Sequence, residues 1–195
     1  LLKVEEKELK KILKIILVVF AVLIIAAVGS MALVMGDVAG NMATDTHPLP
    51  NGAATGKALI VYDPGLSGGA KDVATKIGYL LQDSGYDVLL AGVKSSAATD
   101  LTGYDVIIVG GPIYAGKPAA TVQSYQSSFN PSEQVKVGIF GYGNVKIDNA
   151  DTAAVMQDVA ALPSDSQITL LTAMKIVSSE NVDDQCNEFV INLLE

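Results

Sequence analysis

A single cysteine, Cys186, and a single histidine, His47, set the first limits on this 195-residue chain. One cysteine excludes an intramolecular disulfide and any all-cysteine metal site, and one histidine leaves no cluster for a metal and no support for a Ser/His/Asp triad. His47 stands beside Pro48 in a stretch rich in Gly, Ala and Thr, without partner residues nearby, and reads as a solvated residue rather than a ligand. Positive charge is also scarce: the formal net charge is −8 and the pI is near 4.6, so the soluble part repels nucleic acid. With no histidine cluster and no nucleophile constellation, metal-dependent and hydrolytic chemistry lack a basis.

What is present divides the chain into four parts: a short charged segment (1–14), an apolar run (15–35), a tether (36–56) and a domain (57–195). No charged residue occurs from Ile15 to Met35, and a spanning helix needs about 20 such positions. The run is apolar all round, unlike a core helix with its polar face, so one transmembrane helix is expected. A cleavable signal peptide is the alternative, but its apolar core is usually about 7 to 15 residues long. Lys3, Lys7, Lys10, Lys11 and Lys14 precede the run, and no lysine follows it before Lys57. By the positive-inside rule the N-terminus is cytoplasmic, and the domain lies on the extracytoplasmic side of the cell membrane as a single-pass protein. Gly36 to Gly56 has no apolar period and reads as a flexible tether.

From Lys57 onward, strand-like and helix-like patterns alternate. Ala58 to Tyr62 is an apolar run suited to a strand buried on both faces. Val73, Ala74, Ile77, Leu80 and Leu81 recur at helical spacing, and Gly85 follows where a helix ends. Further strands are expected at Asp87 to Val93, Asp105 to Val109, Val135 to Phe140 and within Gln167 to Val177. Lys94 to Thr102 holds a short helix or none. Pro118 opens a helix carrying Val122, Tyr125 and Phe129. Asp148 or Asn149 caps one carrying Val155, Val159 and Leu162, stopped by Pro163. Val182, Cys186, Phe189, Val190 and Leu193 share one face of the last helix, where Cys186 is a small core hydrophobe. Such alternation implies an α/β fold: a parallel sheet covered on both faces, with ligands beyond the C-terminal strand ends.

The loop Asp63-Pro64-Gly65-Leu66-Ser67-Gly68-Gly69 joins the first strand to the first helix. Its backbone N–H groups, together with the helix dipole, form an anion site suited to phosphate. Two later loops, Gly110 to Lys117 and Gly141 to Asp148, end strands on the same edge.

VYDPGLSGGAKDVA and VGGPIYAGKP resemble the flavodoxin family, whose doubly wound five-stranded parallel sheet has the order 2-1-3-4-5, with flavin mononucleotide (FMN) at the switch point between the first and third strands. The resemblance covers the layout of Lys57 to Glu195. It assigns Leu66, Ser67, Gly68, Gly69 and Ala70 to the phosphate, and Pro112, Ile113, Tyr114, Ala115, Gly116, Gly141, Tyr142, Gly143 and Asn144 to the flavin ring, with Tyr114 and Tyr142 covering its two faces. Gly69 stands where the family usually has Asn, and Ala70 where it usually has a phosphate-binding hydroxyl; loss of one such donor costs about 1.5 to 3 kcal/mol. Asp63 adds a carboxylate to the loop, points away from it or caps a helix. The resemblance implies an FMN domain, held at the membrane by the expected span, that carries electrons to a partner protein or reduces a membrane substrate such as a quinone. The alternative is a flavin-free binding or scaffold module at the bilayer.

Overall fold

The computed structural model describes Lys11 and residues 13–24, 43–163, 168 and 171–195. It separates into two compact units, Leu1–Val38 and Ala39–Glu195. In the first, residues 13–24 form a helix (α1). Its apolar side chains are exposed in every direction, Leu17 at 66% and Phe20 at 65% among them. Among the described residues no helix is long and apolar enough to cross a membrane; residues 25–35 of the expected span lie outside the described set.

The second unit is built on one sheet. Its elements are β1 (Thr46–Leu49), β2 (Gly56–Tyr62), α2 (Gly69–Asp83), β3 (Tyr86–Gly92), β4 (Val106–Tyr114), β5 (Lys117–Pro118), α3 (Ala120–Gln126), β6 (Lys136–Gly143), α4 (Thr152–Val159), β7 (Leu171–Val177) and α5 (Val182–Leu194). The strand order is β1-β3-β2-β4-β6-β7, with β3, β2, β4, β6 and β7 parallel. Counted without β1 and the short β5, this is the 2-1-3-4-5 order, and the unit is a flavodoxin-like α/β sheet.

Alternation along the strands separates two cores. Ile60, Tyr62, Leu90, Ile108 and Phe140 face α2 and α5, where Ile77, Leu81, Cys186 and Phe189 close the layer. Leu59, Val61, Ile107, Val109 and Ile139 face α3 and α4 through Val122, Val155 and Val159. The crossover from β3 to β4 contains only a 3-10 turn, Ser96–Thr99, which supplies Ala98 to that second layer. Burial leaves Cys186 with no exposure and pushes its thiol up to about 11, so at neutral pH it packs as a thiol rather than reacting as a thiolate.

Four expectations need correction. Pro118, expected to open a helix, lies in β5 opposite Ile113, and α3 begins at Ala120 behind its cap Ala119. The tether ends earlier than its composition indicates: Thr46–Leu49 pairs antiparallel with β3 as an edge strand. Pro48 is tolerated there because an edge strand does not need every N–H. Asn51 fastens the following turn: its backbone N–H donates to Asp87 Oδ1 at 2.6 Å, and its side-chain amide donates to Gln82 O at 2.7 Å. The cap of α4 is Asp151, which accepts from Ala154 N at 3.1 Å. Asn149 instead completes the outer edge of β7, accepting from Lys175 N at 3.0 Å and donating to Lys175 O at 3.1 Å. Finally, β4 and β6 run on through Gly110–Tyr114 and Gly141–Gly143, where loops were expected. The glycines in these stretches make room rather than turns. A Cβ on Gly110 would overlap the Phe140 ring, and one on Gly141 would lie 2.6 Å from Ile113 Cδ1 and 2.7 Å from Val159 Cγ1.

β4 and β5 form a hairpin around Ala115-Gly116, with Tyr114 opposite Lys117. Both turn residues have positive φ, 51° for Ala115 and 75° for Gly116, as a type I′ turn requires. Alanine is strained in that region. Ala115→Gly should therefore raise stability by about 0.5 to 1 kcal/mol, measured as an upward shift of the urea midpoint; a downward shift would show that Ala115 is held by packing instead.

Candidate functional site

The site at the C-terminal strand ends begins where Asp63 leaves β2. Asp63 is 3% exposed and does not face the loop's outer surface. Its Oδ1 accepts the Gly65 N–H at 2.8 Å, and its Oδ2 accepts the Thr121 hydroxyl in the first turn of α3. One carboxylate thus closes the loop's first turn and ties it to a helix on the far side of the sheet. Gly65 (φ 68°) and Gly68 (φ 77°) take left-handed conformations that carry the chain into α2.

The N-terminus of α2 is open toward anions. Gly68 is its cap, and Asp72 N is the first donor bonded back to Gly68 O, at 3.1 Å. Gly69 N donates to Ser67 Oγ at 3.4 Å. Among the described residues the N–H groups of Ser67, Ala70 and Lys71 have no protein acceptor, and a Cβ on Gly68 would meet nothing within 4 Å. Unpaired N–H groups, the positive end of a 15-residue helix, the Ser67 hydroxyl and open space beside Gly68 form a donor set that fits a phosphate. Lys71 adds a cation at the same turn, shared with Asp45 at 3.4 Å.

Both expected aromatic residues converge on this loop, from the face of the sheet that carries α2 and α5. Pro112 pairs with Tyr142, and Tyr114 follows two positions after Pro112, which places both tyrosines on one face. The Tyr114 hydroxyl accepts the Leu66 N–H at 3.2 Å, and its ring is 48% exposed. Tyr142 is half-buried and lies against Gly69, where a Cβ would sit 2.8 Å from its Cζ and 2.9 Å from its hydroxyl oxygen. Gly69 is thus the residue that lets the Tyr142 ring rest on the helix end. The open side of this helix end is at Gly68, because Tyr142 fills the side next to Gly69.

The remaining expected residues fall on the other face of the extended strands. Ile113, Ala115, Gly116, Gly143 and Asn144 line a cavity of about 350 Å³ together with Val145, Ile147, Asp158 and Lys175. Lys175, 1% exposed, forms the cavity's buried end, and its ammonium donates to Asp158 Oδ2 at 2.5 Å. Thus Leu66, Ser67, Gly68, Gly69, Ala70, Pro112, Tyr114 and Tyr142 are brought together at the α2 end, with Gly141 packed beneath Ile113. Thr121, Lys71, Asp158 and Lys175 were not singled out from the sequence. Lys175 alone left a trace there, as the one charged residue inside the apolar strand LTAMKIV.

No protein-family model and no curated protein matches the chain. Among solved structures, oxidised flavodoxin 2 from Bacillus cereus aligns with a TM-score of 0.49 at 20% identity, over 71% of this chain and 97% of that one. An apo NADH:FMN oxidoreductase aligns at 0.49 and 12% identity, over 71% of this chain and 88% of that one. The NAD(P)H:quinone oxidoreductase from Methanothermobacter marburgensis aligns at 0.45 and 12% identity, over 72% and 92% respectively. At these values the fold assignment rests on the strand order itself, and the likeness carries no weight for ligand or activity.

Proposed function

We propose that the domain binds FMN at the α2 end of the sheet and serves in electron transfer, either as a carrier or as a flavin-dependent reductase of a membrane substrate such as a quinone. The observation that supports this reading is the set of unpaired Ser67, Ala70 and Lys71 N–H groups at the start of α2, located where strand order reverses between β2 and β4. The phosphate would be held there and by the Ser67 hydroxyl, with Tyr114 and Tyr142 beside the ring. Bound FMN would supply the redox chemistry, and the chain supplies position, exclusion of water and electrostatics. The chain carries no second nucleotide-binding fingerprint, which favours the carrier. In a double variant, Ser67→Ala with Gly68→Ala, FMN affinity should fall at least about tenfold, the loss of one hydrogen bond to a charged group. Unchanged affinity would remove this loop from the assignment.

A flavin-free docking module is the second reading. Tyr142 resting on Gly69 favours it, since a side chain of the protein already occupies part of the corner where the family's asparagine stands.

The N-terminal segment is proposed to anchor the chain in a bilayer with the domain on the extracytoplasmic side. Exposed apolar side chains around the whole of α1, together with the lysines before it, support this. Protease added to sealed cells should degrade the domain, and full protection would reverse the proposed orientation.

A further inference from the structure

Tyr142 meets the start of α2 through the hydroxyl end of its ring. It stands in β6 between Pro112 of β4 and Ile176 of β7, so two neighbouring strands hold its backbone and fix where the ring can reach. A Cβ on Gly69 would lie 2.8 Å from Tyr142 Cζ and 2.9 Å from its hydroxyl oxygen. The phenol tip therefore rests on the first residue of α2, and the missing side chain of Gly69 is what admits it.

The two tyrosine hydroxyls at this loop differ in their partners. That of Tyr114 accepts the Leu66 N–H at 3.2 Å. That of Tyr142 has no hydrogen-bond partner among the described residues, yet it is not sealed from solvent: among those residues Ser95 Oγ is the one buried side-chain polar atom left unpaired. A free and accessible O–H thus stands beside the helix end.

The loop itself is short of side-chain donors. Its one hydroxyl, on Ser67, already accepts the Gly69 N–H at 3.4 Å, and Gly68, Gly69 and Ala70 bring none. A phosphate monoester presents three strongly accepting terminal oxygens. The unpaired N–H groups of Ser67, Ala70 and Lys71 all come from the loop and the helix end, whereas the phenol reaches the same place from β6. A phenol O–H donates without bringing a charge that would itself need a partner.

We infer that Tyr142 is a specificity-determining residue for phosphorylated ligands, its hydroxyl donating to a terminal phosphate oxygen at the start of α2. The identity of the ligand rests on the FMN reading. The role belongs to the hydroxyl alone, so it is separable from any contact of the ring with flavin.

Quenching titrations of the full chain with FMN and with riboflavin, which lacks the phosphate, test this. Tyr142→Phe keeps the ring and removes the hydroxyl. FMN affinity should fall at least about tenfold, the loss of one hydrogen bond to a charged group, with riboflavin affinity unchanged within about twofold. Unchanged FMN affinity would overturn the assignment, and so would an equal loss for both flavins, which would make Tyr142 a ring contact only. Gly69→Ala, whose Cβ displaces the phenol, should weaken FMN binding as Tyr142→Phe does, and the double variant should be no weaker than either. Additive losses would count against the assignment, since Gly69 would then serve something other than the tyrosine. Inorganic phosphate probes the helix end without any ring: it should raise the urea midpoint of the unaltered chain more than that of Tyr142→Phe. If neither flavin binds while phosphate still separates the two chains, the FMN reading fails and the role of Tyr142 stands. If neither flavin binds and phosphate stabilises both chains equally or not at all, both fail.

Discussion

Asp158→Ala is expected to lower stability by about 3 to 5 kcal/mol, one of the two largest losses for single substitutions around the strand ends. The reason is the partner left behind. Lys175 sits at 2% side-chain exposure, and without Asp158 its charge has neither a counter-ion nor bulk water. The reverse substitution, Lys175→Met, should cost less, because Asp158 keeps 20% exposure and can recover part of its hydration. Replacing both groups by apolar residues should cost least of the three, since the desolvation of two charges is then avoided along with their attraction. Urea unfolding of the two single variants and the double variant forms a cycle with strong favourable coupling between the sites. Additive losses would mean that the two side chains do not depend on each other.

The second large effect is expected at Asp63. Asp63→Ala removes the acceptor for both the Gly65 N–H and the Thr121 hydroxyl, two hydrogen bonds to a charged group worth about 1.5 to 3 kcal/mol each. A total near 3 to 4 kcal/mol is expected, because the first-turn amide can regain water once the loop loosens. Asp63→Asn separates tether from charge: its amide oxygen can still accept from Gly65, and its NH₂ can donate to the Thr121 oxygen. If the carboxylate matters for geometry, the asparagine variant should recover more than half of the loss and most of the FMN affinity. If it behaves like alanine, the negative charge beside the start of α3 carries the effect through the helix dipole.

Much of this architecture is legible in the chain. Ala58 to Tyr62 and Asp105 to Val109 are short apolar runs bounded by polar residues, and runs of that kind become central parallel strands. Gly85 was readable because a helix end demands a residue with positive φ, and it has 95°. What misled the reading was glycine with a different purpose. Gly110 and Gly141 look like loop punctuation, yet each lies in a strand because Phe140 from one side and Ile113 with Val159 from the other take the space of its Cβ. That information is tertiary, held by residues far along the chain. The same holds for β1: THPL has no alternation of its own and becomes a strand only because the β3 edge offers it unpaired groups from Val88 to Ala91.

The unpaired N–H groups at the start of α2 were foreseeable, since the pattern of strand, glycine loop and helix fixes where such groups point. The two anchors of that loop were not. Thr121 lies 58 residues from Asp63 and carries no local sign of the bond. Tyr142 was expected to cover a ring face, and nothing near it in sequence shows that Gly69 would receive it. Lys175 was visible as an odd charge in an apolar strand, but its partner Asp158 lies on a different element, on the helix before it.

Titration of the full chain with FMN, followed by quenching of flavin fluorescence, tests the central claim most directly. The account expects saturable quenching, retained yellow colour after gel filtration, and affinity reduced at least about tenfold by Ser67→Ala with Gly68→Ala. A folded chain that leaves flavin fluorescence unchanged at every concentration would contradict it, and the loop at the start of α2 would then be a docking surface without flavin.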